Sequence, residues 1–419
     1  MRGWPQGENA GKADTAVPEL SHSHSARETA PLRELAAFFL RLGTTAFGGP
    51  AAHVALMEDE LVRRRAWLSR DKFLDLLGAS NLIPGPSSSE LAIHIGYQQA
   101  GWRGLLVAGS CFILPAAAMV AALAWAYVHF GRLPAMAALL YGVKPVVIAV
   151  ILQALWGLGR TAMKTKLLVV IGLFSVALSL YGMHPLLLLL MAGSAMVLVH
   201  WLKRMLKEGS LCSLAPLAAI QSLARTFSPI AKGVAGTVAK MVPFGLGALF
   251  LVFLKMGAVV FGSGYVLLAF LRADFVTQRG WLTDHQLVDA IAIGQVTPGP
   301  VFTTATFIGY VLGGLRGAVV ATVGIFLPAF LLVAVSGPLV PRLRQSQLAG
   351  AFLDGVNVAS LALMAAVTWQ LGRASLVDLD TVLLAVASLL ALLRFRLNSA
   401  WLVLMGGFVG ILLHLVRGH

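Results

Sequence analysis

The sequence predicts an all-α polytopic membrane protein made of two tandem homologous helical units, arranged as inverted repeats with broken or re-entrant helices. Two observations carry the helical and duplicated part of that prediction. First, 58% of the 419 residues are hydrophobic and only 12% are charged, with a mean hydropathy of +0.82. Soluble domains are about a quarter charged, and so few charges cannot cover a water-facing surface. Second, short motifs recur in order at a spacing of 214 and then 213 residues.

The spans are read from nearly uncharged runs at 167–181, 185–202, 244–270, 377–393 and 401–416. A helix needs roughly 20 residues to cross the hydrocarbon core, so the shorter runs cross only with little tilt or end in the headgroups. The net charge is +14. Its basic residues cluster between apolar segments, which points to retention on the cytoplasmic face. Nucleic acid is not an expected partner, because no aromatic-basic patch or zinc spacing supports it. Cys111 lies in an apolar segment and Cys212 in a polar loop. They sit at different depths and are expected to be free thiols with no metal or redox spacing. The polar tail 1–31 has no apolar core after an early positive stretch, so no cleavable signal peptide is expected. His22 and His24 within it are read as incidental, and no metal or cofactor is expected.

The duplication organises the chain. Gly43-Thr-Thr-Ala-Phe-Gly-Gly-Pro50 matches Gly257-Ala-Val-Val-Phe-Gly-Ser-Gly264. Trp67-Leu68-Ser69 matches Trp281-Leu282-Thr283, Asp75 matches Asp289, and Pro84-Gly85-Pro86 matches Pro298-Gly299-Pro300. After a one-residue gap, Ile95-Gly-Tyr97 matches Ile308-Gly-Tyr310, and Gly101-Trp-Arg-Gly104 matches Gly314-Leu-Arg-Gly317. Pro115 and Pro328 correspond, as do Trp156-x-Leu-Gly-Arg160 and Trp369-x-Leu-Gly-Arg373.

Each unit reads as six apolar segments, near 35–57, 72–100, 104–129, 135–157, 167–182 and 185–202, and again near 244–271, 286–312, 316–336, 349–371, 377–393 and 399–416. The units are therefore 32–202 and 244–419, joined by a linker at 203–243. That linker carries Lys203, Arg204, Lys207, Arg225, Lys232 and Lys240 against Glu208, and part of it suits the bilayer surface. The basic loops at 63–72 and 158–166 share one face only if the second segment is a hairpin folded at Pro84-Gly85-Pro86. Each unit then crosses five times, and an odd count inverts the second unit. Inverted repeats are a transporter architecture, with the substrate site where the units meet.

The Pro-Gly-Pro motifs break their segments. Each proline removes a donor and clashes with the preceding turn, and the residue before it is pushed out of helical geometry. Broken backbone at membrane depth persists only where protein or water satisfies it. Hydroxyls come directly after each break: Ser87, Ser88 and Ser89 in one unit, Thr303 and Thr304 in the other. They suit the start of a new half-helix, whose N–H groups and dipole form an anion site. A structural kink is the plainer reading of one motif; two at equivalent positions favour a functional break. Asn81 and Gln295 correspond and are candidate donors to an oxyanion.

A second pair of breaks lies in the first segments, Phe47-Gly48-Gly49-Pro50 and Phe261-Gly262-Ser263-Gly264. Close helix packing through small residues explains them equally well. Arg41 and its equivalent Lys255 are cations in apolar surroundings, suited to a dianion or to snorkelling anchors. Asp75 and Asp289 precede the breaks by about two turns and are candidates for proton coupling or for pairing with Arg41, Lys255 or a loop base. Glu90 and His94 share a helical face in the first unit only.

At Phe47-Gly-Gly-Pro-x-x-His53, Asn81-Leu-Ile-Pro-Gly-Pro86, Phe261-Gly-Ser-Gly-Tyr265 and Gly294-Gln-Val-Thr-Pro-Gly-Pro300, the chain resembles a long, two-unit chromate ion transporter. The resemblance covers about 32–419. It implies a multi-pass plasma-membrane carrier that exports chromate on the membrane potential or proton gradient, with halves of opposite orientation. Sulfate is the structural mimic of that substrate, and self-association into a homo-oligomer is left open. A membrane-embedded enzyme is the alternative class, with His53 and the serines at 87–89 as the imaginable pair. The second unit has Val266 and Leu267 near the position equivalent to His53. A purely structural protein would not need paired breaks, and an ATP-driven pump would need a phosphate-binding loop that the chain does not carry.

Overall fold

A computed structural model describes residues 31–47, 49–131, 133–208, 243–261, 264–336, 346–395, 397 and 399–417. The expectations for the tail, for Cys212, for Gly48, Gly262 and Ser263, and for most of the linker lie outside the described residues.

Helix α1 (Leu32–Thr45) buries Leu35, Phe38, Phe39 and Leu42 on one face. Its 14 residues reach only about 21 Å at 1.5 Å per residue, short of a roughly 30 Å hydrocarbon core. The helix ends at Ala46, where the backbone turns extended. The Thr44 and Thr45 hydroxyls donate back to the Arg41 carbonyl at 2.9 and 2.7 Å, satisfying an acceptor of the last turn. Helix α2 (Gly49–Glu58) then runs through a π turn, Asp59–Arg64. It returns to its starting level: Arg65 Nη1 lies 3.5 Å from Glu34 Oε2.

The second unit repeats this fold-back. After α8 (Leu246–Val259) come a 3-10 turn (Gly264–Val266), α9 (Leu267–Leu271) and a π turn (Arg272–Gln278). The Phe244 and Trp281 rings meet at 5.3 Å, and those of Phe253 and Phe275 at 5.1 Å. The first segment of each unit is thus a hairpin and not the single crossing the sequence suggested. The expected five crossings per unit therefore do not hold as counted.

The recurring Trp-Leu-Ser/Thr motif proves to be a helix start. Ser69 caps α3 (Arg70–Ser80), accepting from Lys72 N at 3.3 Å. Thr283 and Gln286 form a reciprocal capping box on α10 (Asp284–Val296). Such caps contribute about 1 kcal/mol each. The segment then folds at Pro84-Gly85-Pro86, as expected, because Gln99 Nε2 donates to the Trp67 carbonyl 32 residues earlier at 3.1 Å.

Each break leads into a second fold-back. Helix α4 (Ser87–Phe130) is interrupted at Ala100 and at Gly101, whose φ is +58. A β-carbon on Gly96 would lie 2.3 Å from the Gly104 carbonyl oxygen. On a straight helix residues eight apart stand about 12 Å away. Residues 87–100 are therefore a half-helix that doubles back into 101–130. Helix α11 (Thr304–Ser336) repeats the turn at Gly313-Gly314, where Gly309 and Gly317 touch in the same way. The apolar segments read from sequence change at this point in both units.

Each unit closes with three helices: α5 (Pro134–Ala162), α6 (Lys166–Leu180) and α7 (Pro185–Glu208), then α12 (Gln347–Ser375), α13 (Leu379–Phe395) and α14 (Ser399–Arg417). They pack across the units. Helix α5 lies against α13 and α14, and α12 lies against α6 and α7. The crossings use small residues. A β-carbon on Gly142 would fall 2.0 Å from the Gly406 carbonyl, and one on its equivalent Gly355 would fall 2.3 Å from that of Ala192. The equivalent helices α5 and α12 also pack on each other, antiparallel. Lys164 meets Asp354 at one end, Gly159 faces Leu361 further along, and Ile148 faces Gly372 beyond that.

Six helices among the described residues are long and apolar enough to cross a membrane, three equivalent ones from each unit. Equivalent tryptophans, Trp156 and Trp369, are 64% and 65% exposed. On a soluble protein that exposure would be unfavourable; here it faces lipid. The chain is an all-α polytopic membrane protein.

Candidate functional site

The four backbone breaks meet in exchanged pairs. The Gly85 amide donates to the Val260 carbonyl at 2.7 Å, and the Gly299 amide donates to the Ala46 carbonyl at 3.0 Å. Each Pro-Gly-Pro turn thus caps the broken end of the other unit's first helix. The glycines adopt φ of +141 and +93, a region L side chains rarely enter. A β-carbon on Gly299 would also lie 2.5 Å from Ala116 Cβ. The glycine amides are consequently not available to an anion. At the start of the first half-helix the Ser89 and Glu90 amides bond to the Pro86 carbonyl.

A cavity of about 860 Å³ opens beside the first unit's breaks. Pro50, Asn81 and Ser87 line one wall, with Val266 from the second unit. Gln153 and Thr161 of α5, Lys164 just beyond its end, and Asp354, Asn357 and Ser360 of α12 line the other. Lys164 Nζ lies 3.1 Å from Asp354 Oδ1; the lysine is largely exposed and the aspartate partly so, marking the open side. The Ser360 hydroxyl is buried without a hydrogen-bond partner among the described residues. Away from the mouth the polar part of the lining is amide and hydroxyl without fixed charge, set among apolar side chains such as Val54, Leu77, Leu158, Leu361 and Met364.

The equivalent place in the second unit is filled. Asn357 corresponds to Lys144, which lies 3.0 Å from Asp289 Oδ1. Tyr127 donates to Asp289 Oδ2 at 2.9 Å. This buried network joins both units. The expected partners of Asp289, Arg41 and Lys255, are replaced by a lysine within the apolar run of α5. Lys255 instead contacts both oxygens of the buried Asp274 at 2.7 Å, and Arg279 reaches the same carboxylate at 2.9 Å.

The structure places the sequence candidates unequally. Pro50, Asn81 and Ser87 reach the cavity. Gly49 opens α2 beside it, and Pro84, Gly85, Pro86 and Ser88 form the adjoining turn. Asp75 stands exposed on α3. In the second unit Gly264, Gln295, Pro298, Gly299, Pro300 and Thr303 lie packed inside the protein. Thr303 Oγ1 donates to the Pro300 carbonyl, and Gln295 Nε2 is buried without a partner among the described residues. Arg41 lies exposed on α1, outside the cavity lining. Gln153, Asn357, Ser360 and Lys144 were missed. Their signal was a polar residue inside an otherwise apolar run.

Paired helix breaks at a hairpin interface, beside a cavity that carries amide and hydroxyl side chains among apolar ones, define a transporter-type architecture in a helical membrane protein. The sequence pattern described as "Chromate transporter" matches residues 33–198 and again 247–411. The chain belongs to the chromate transporter family. It is 35% identical over 400 residues to the chromate transport protein of Cupriavidus metallidurans, covering 93% of this chain and 96% of that one. It is 33% identical over 389 residues to the chromate transport protein of Pseudomonas aeruginosa, covering 90% and 91%. It is 32% identical over 402 residues to a probable chromate transport protein of Synechococcus elongatus, covering 94% and 98%. No solved structure matches the chain.

Proposed function

We propose that this chain is a secondary transporter that carries chromate out of the cell across the plasma membrane and so confers chromate resistance. The cavity is the observation that carries the reading. It places Asn81, Ser87, Gln153 and Asn357 around the start of a half-helix, where backbone donors and the dipole favour an anion. Neutral donors hold a dianion firmly enough to select it and loosely enough to release it. A negative-inside potential drives a dianion outward, at about 2.3 kcal/mol per charge per 100 mV.

The units then sit in opposite orientation and expose the anion to the two faces in turn. The antiparallel packing of α5 on α12 supports this. In the open state described, the first unit's Gly49, Pro50, Asn81, Pro84, Gly85, Pro86, Ser87 and Ser88 form the station. The second unit's Gly264, Gln295, Pro298, Gly299, Pro300 and Thr303 form its counterpart when the other face opens. We assign Arg41 and Lys255 anchoring roles, since neither lines the cavity and Lys255 is held by Asp274.

Uptake of radiolabelled chromate into everted membrane vesicles tests the proposal. Energised vesicles are expected to accumulate chromate, and collapse of the potential to abolish it. Hydrogen-bond donors read shape and charge more than the central atom, so sulfate is expected to compete. Vesicles that carry the protein at normal abundance and accumulate no chromate would overturn the reading.

A further inference from the structure

One buried group on the first half-helix stands behind the cavity lining. Glu90 is 0% exposed, and neither of its carboxylate oxygens has a hydrogen-bond partner among the described residues. It lies against the break itself: a β-carbon on Gly85 would sit 2.3 Å from Glu90 Oε1. One turn further on, His94 is also buried and its Nε2 has no partner among the described residues. Ser87, Glu90 and His94 are spaced three and four residues apart, and so share one face of the half-helix. Ser87 on that face lines the cavity.

Elements packed round the half-helix carry other titratable side chains. They include Arg41 on α1, His53 and Glu58 on α2, Asp75 on α3, Asp289 on α10 and Tyr310 on α11, with Lys255 on α8, whose end meets Gly85. None is hydrogen-bonded to Glu90. His53 Nε2 lies 3.1 Å from the Ala46 carbonyl, and Lys255 is taken by Asp274. An ionised carboxylate buried without a partner costs several kcal/mol, so a proton or a cation must answer it. The second unit carries no such group at its break. Thr303 and Thr304 stand there, and their hydroxyls donate to the Pro300 and Val301 carbonyls.

We propose that the Glu90 carboxyl is a proton-binding site linked to the anion site, so that the first unit's break takes up a proton together with the oxyanion. This rests on the transport reading above. A carboxylate one turn from the bound dianion repels it, and a neutral carboxyl does not. Linkage then makes each ligand favour the other by the same factor. His94, the next polar group along that face, is the relay for the proton. No bond is made or broken in the chromate. One proton joins Glu90 as the dianion enters and leaves as it departs, so the complex carries one negative charge fewer than the anion alone.

The test uses the full chain in liposomes with a trapped pH dye, in mildly alkaline buffer where chromate stays a dianion. Tracer chromate exchange and chromate-driven proton movement are measured together. Wild type is expected to show both. Glu90→Gln mimics the neutral carboxyl. It should keep at least half of the tracer exchange and lose the proton movement. Glu90→Asp should keep both. Proton movement that persists in Glu90→Gln overturns the proposal, as does wild-type exchange with no proton movement. Loss of exchange in both Glu90 variants, in protein that remains monodisperse, makes the residue a packing contact and also overturns it. Absence of exchange in the wild type is a different failure, that of the transport reading itself.

Discussion

The two units share a backbone plan and differ at one equivalent place. In the first, Asn357 from the partner unit's α12 faces Asn81 and Ser87 across an open cavity. In the second, the residue equivalent to Asn357 is Lys144, and it is closed onto Asp289 with Tyr127. The same fold therefore presents an open cavity at one place and a closed ion pair at its equivalent. Among the differences between the repeats is amide for ammonium: Asn357 lines an open cavity, whereas Lys144 ties helices together through Asp289. The difference shows how a duplicated frame becomes asymmetric: the repeat supplies two equivalent places, and a few residues that differ between the units leave one open and one packed.

The comparison breaks most completely if the units are not opposed in the membrane. Single cysteines in the loops at 58–71 and 272–285 should lie on opposite faces, one labelled by an impermeant maleimide in intact cells and the other protected. Like behaviour of both would remove the inverted arrangement.

Proline removal should come next in size. Pro84 and Pro86 both changed to alanine should let α3 run on as helix, since alanine favours helix. That would draw Gly85 away from Val260 and dismantle the cavity wall. Chromate binding by purified protein is expected to fall about a hundredfold, near 2.7 kcal/mol, with insertion intact. The same change at Pro298 and Pro300 should cost binding less, because only the first turn borders the open cavity. Equal losses would show that the open and shut stations are equivalent for the anion.

The shut station should matter mainly for stability. Lys144→Met leaves the buried Asp289 with its Tyr127 hydrogen bond but without its countercharge and is expected to cost about 3–5 kcal/mol, read as a lower thermal midpoint in detergent. Lys144→Met combined with Asp289→Leu should recover most of that loss. A double variant no better than the single one would mean the pair is not a lock.

Asn357→Leu removes one cavity donor and should weaken chromate binding up to about tenfold, as one net hydrogen bond of roughly 1 kcal/mol implies. It should leave thermal stability nearly unchanged. The smallest effect belongs to Lys164→Ala at the cavity mouth. Its exposed pair with Asp354 contributes at most about 1 kcal/mol to stability. Any change in chromate binding there should fade at high salt, where exposed charges are screened.

Much of this protein is determined by the sequence alone. The two units, the positions of the breaks and the turn near Gly101 and Gly314 arise from local causes: proline and glycine act on the backbone where they stand, and apolar runs must meet lipid. The Trp-Leu-Ser/Thr repeat was visible too, although its role as a cap needed the structure. Only tertiary structure decided which donors stay available. Gly85 bonds to Val260 and Gly299 to Ala46, partners far apart in the chain that no local pattern links. It also decided that the first segments fold back, that Lys144 and not Lys255 meets Asp289, and that a cavity opens at one place while its equivalent is packed. The physical reason is common to all of these. A repeat specifies equivalent backbones, but a carbonyl, a carboxylate or a cavity acquires its partner only when distant helices pack against it.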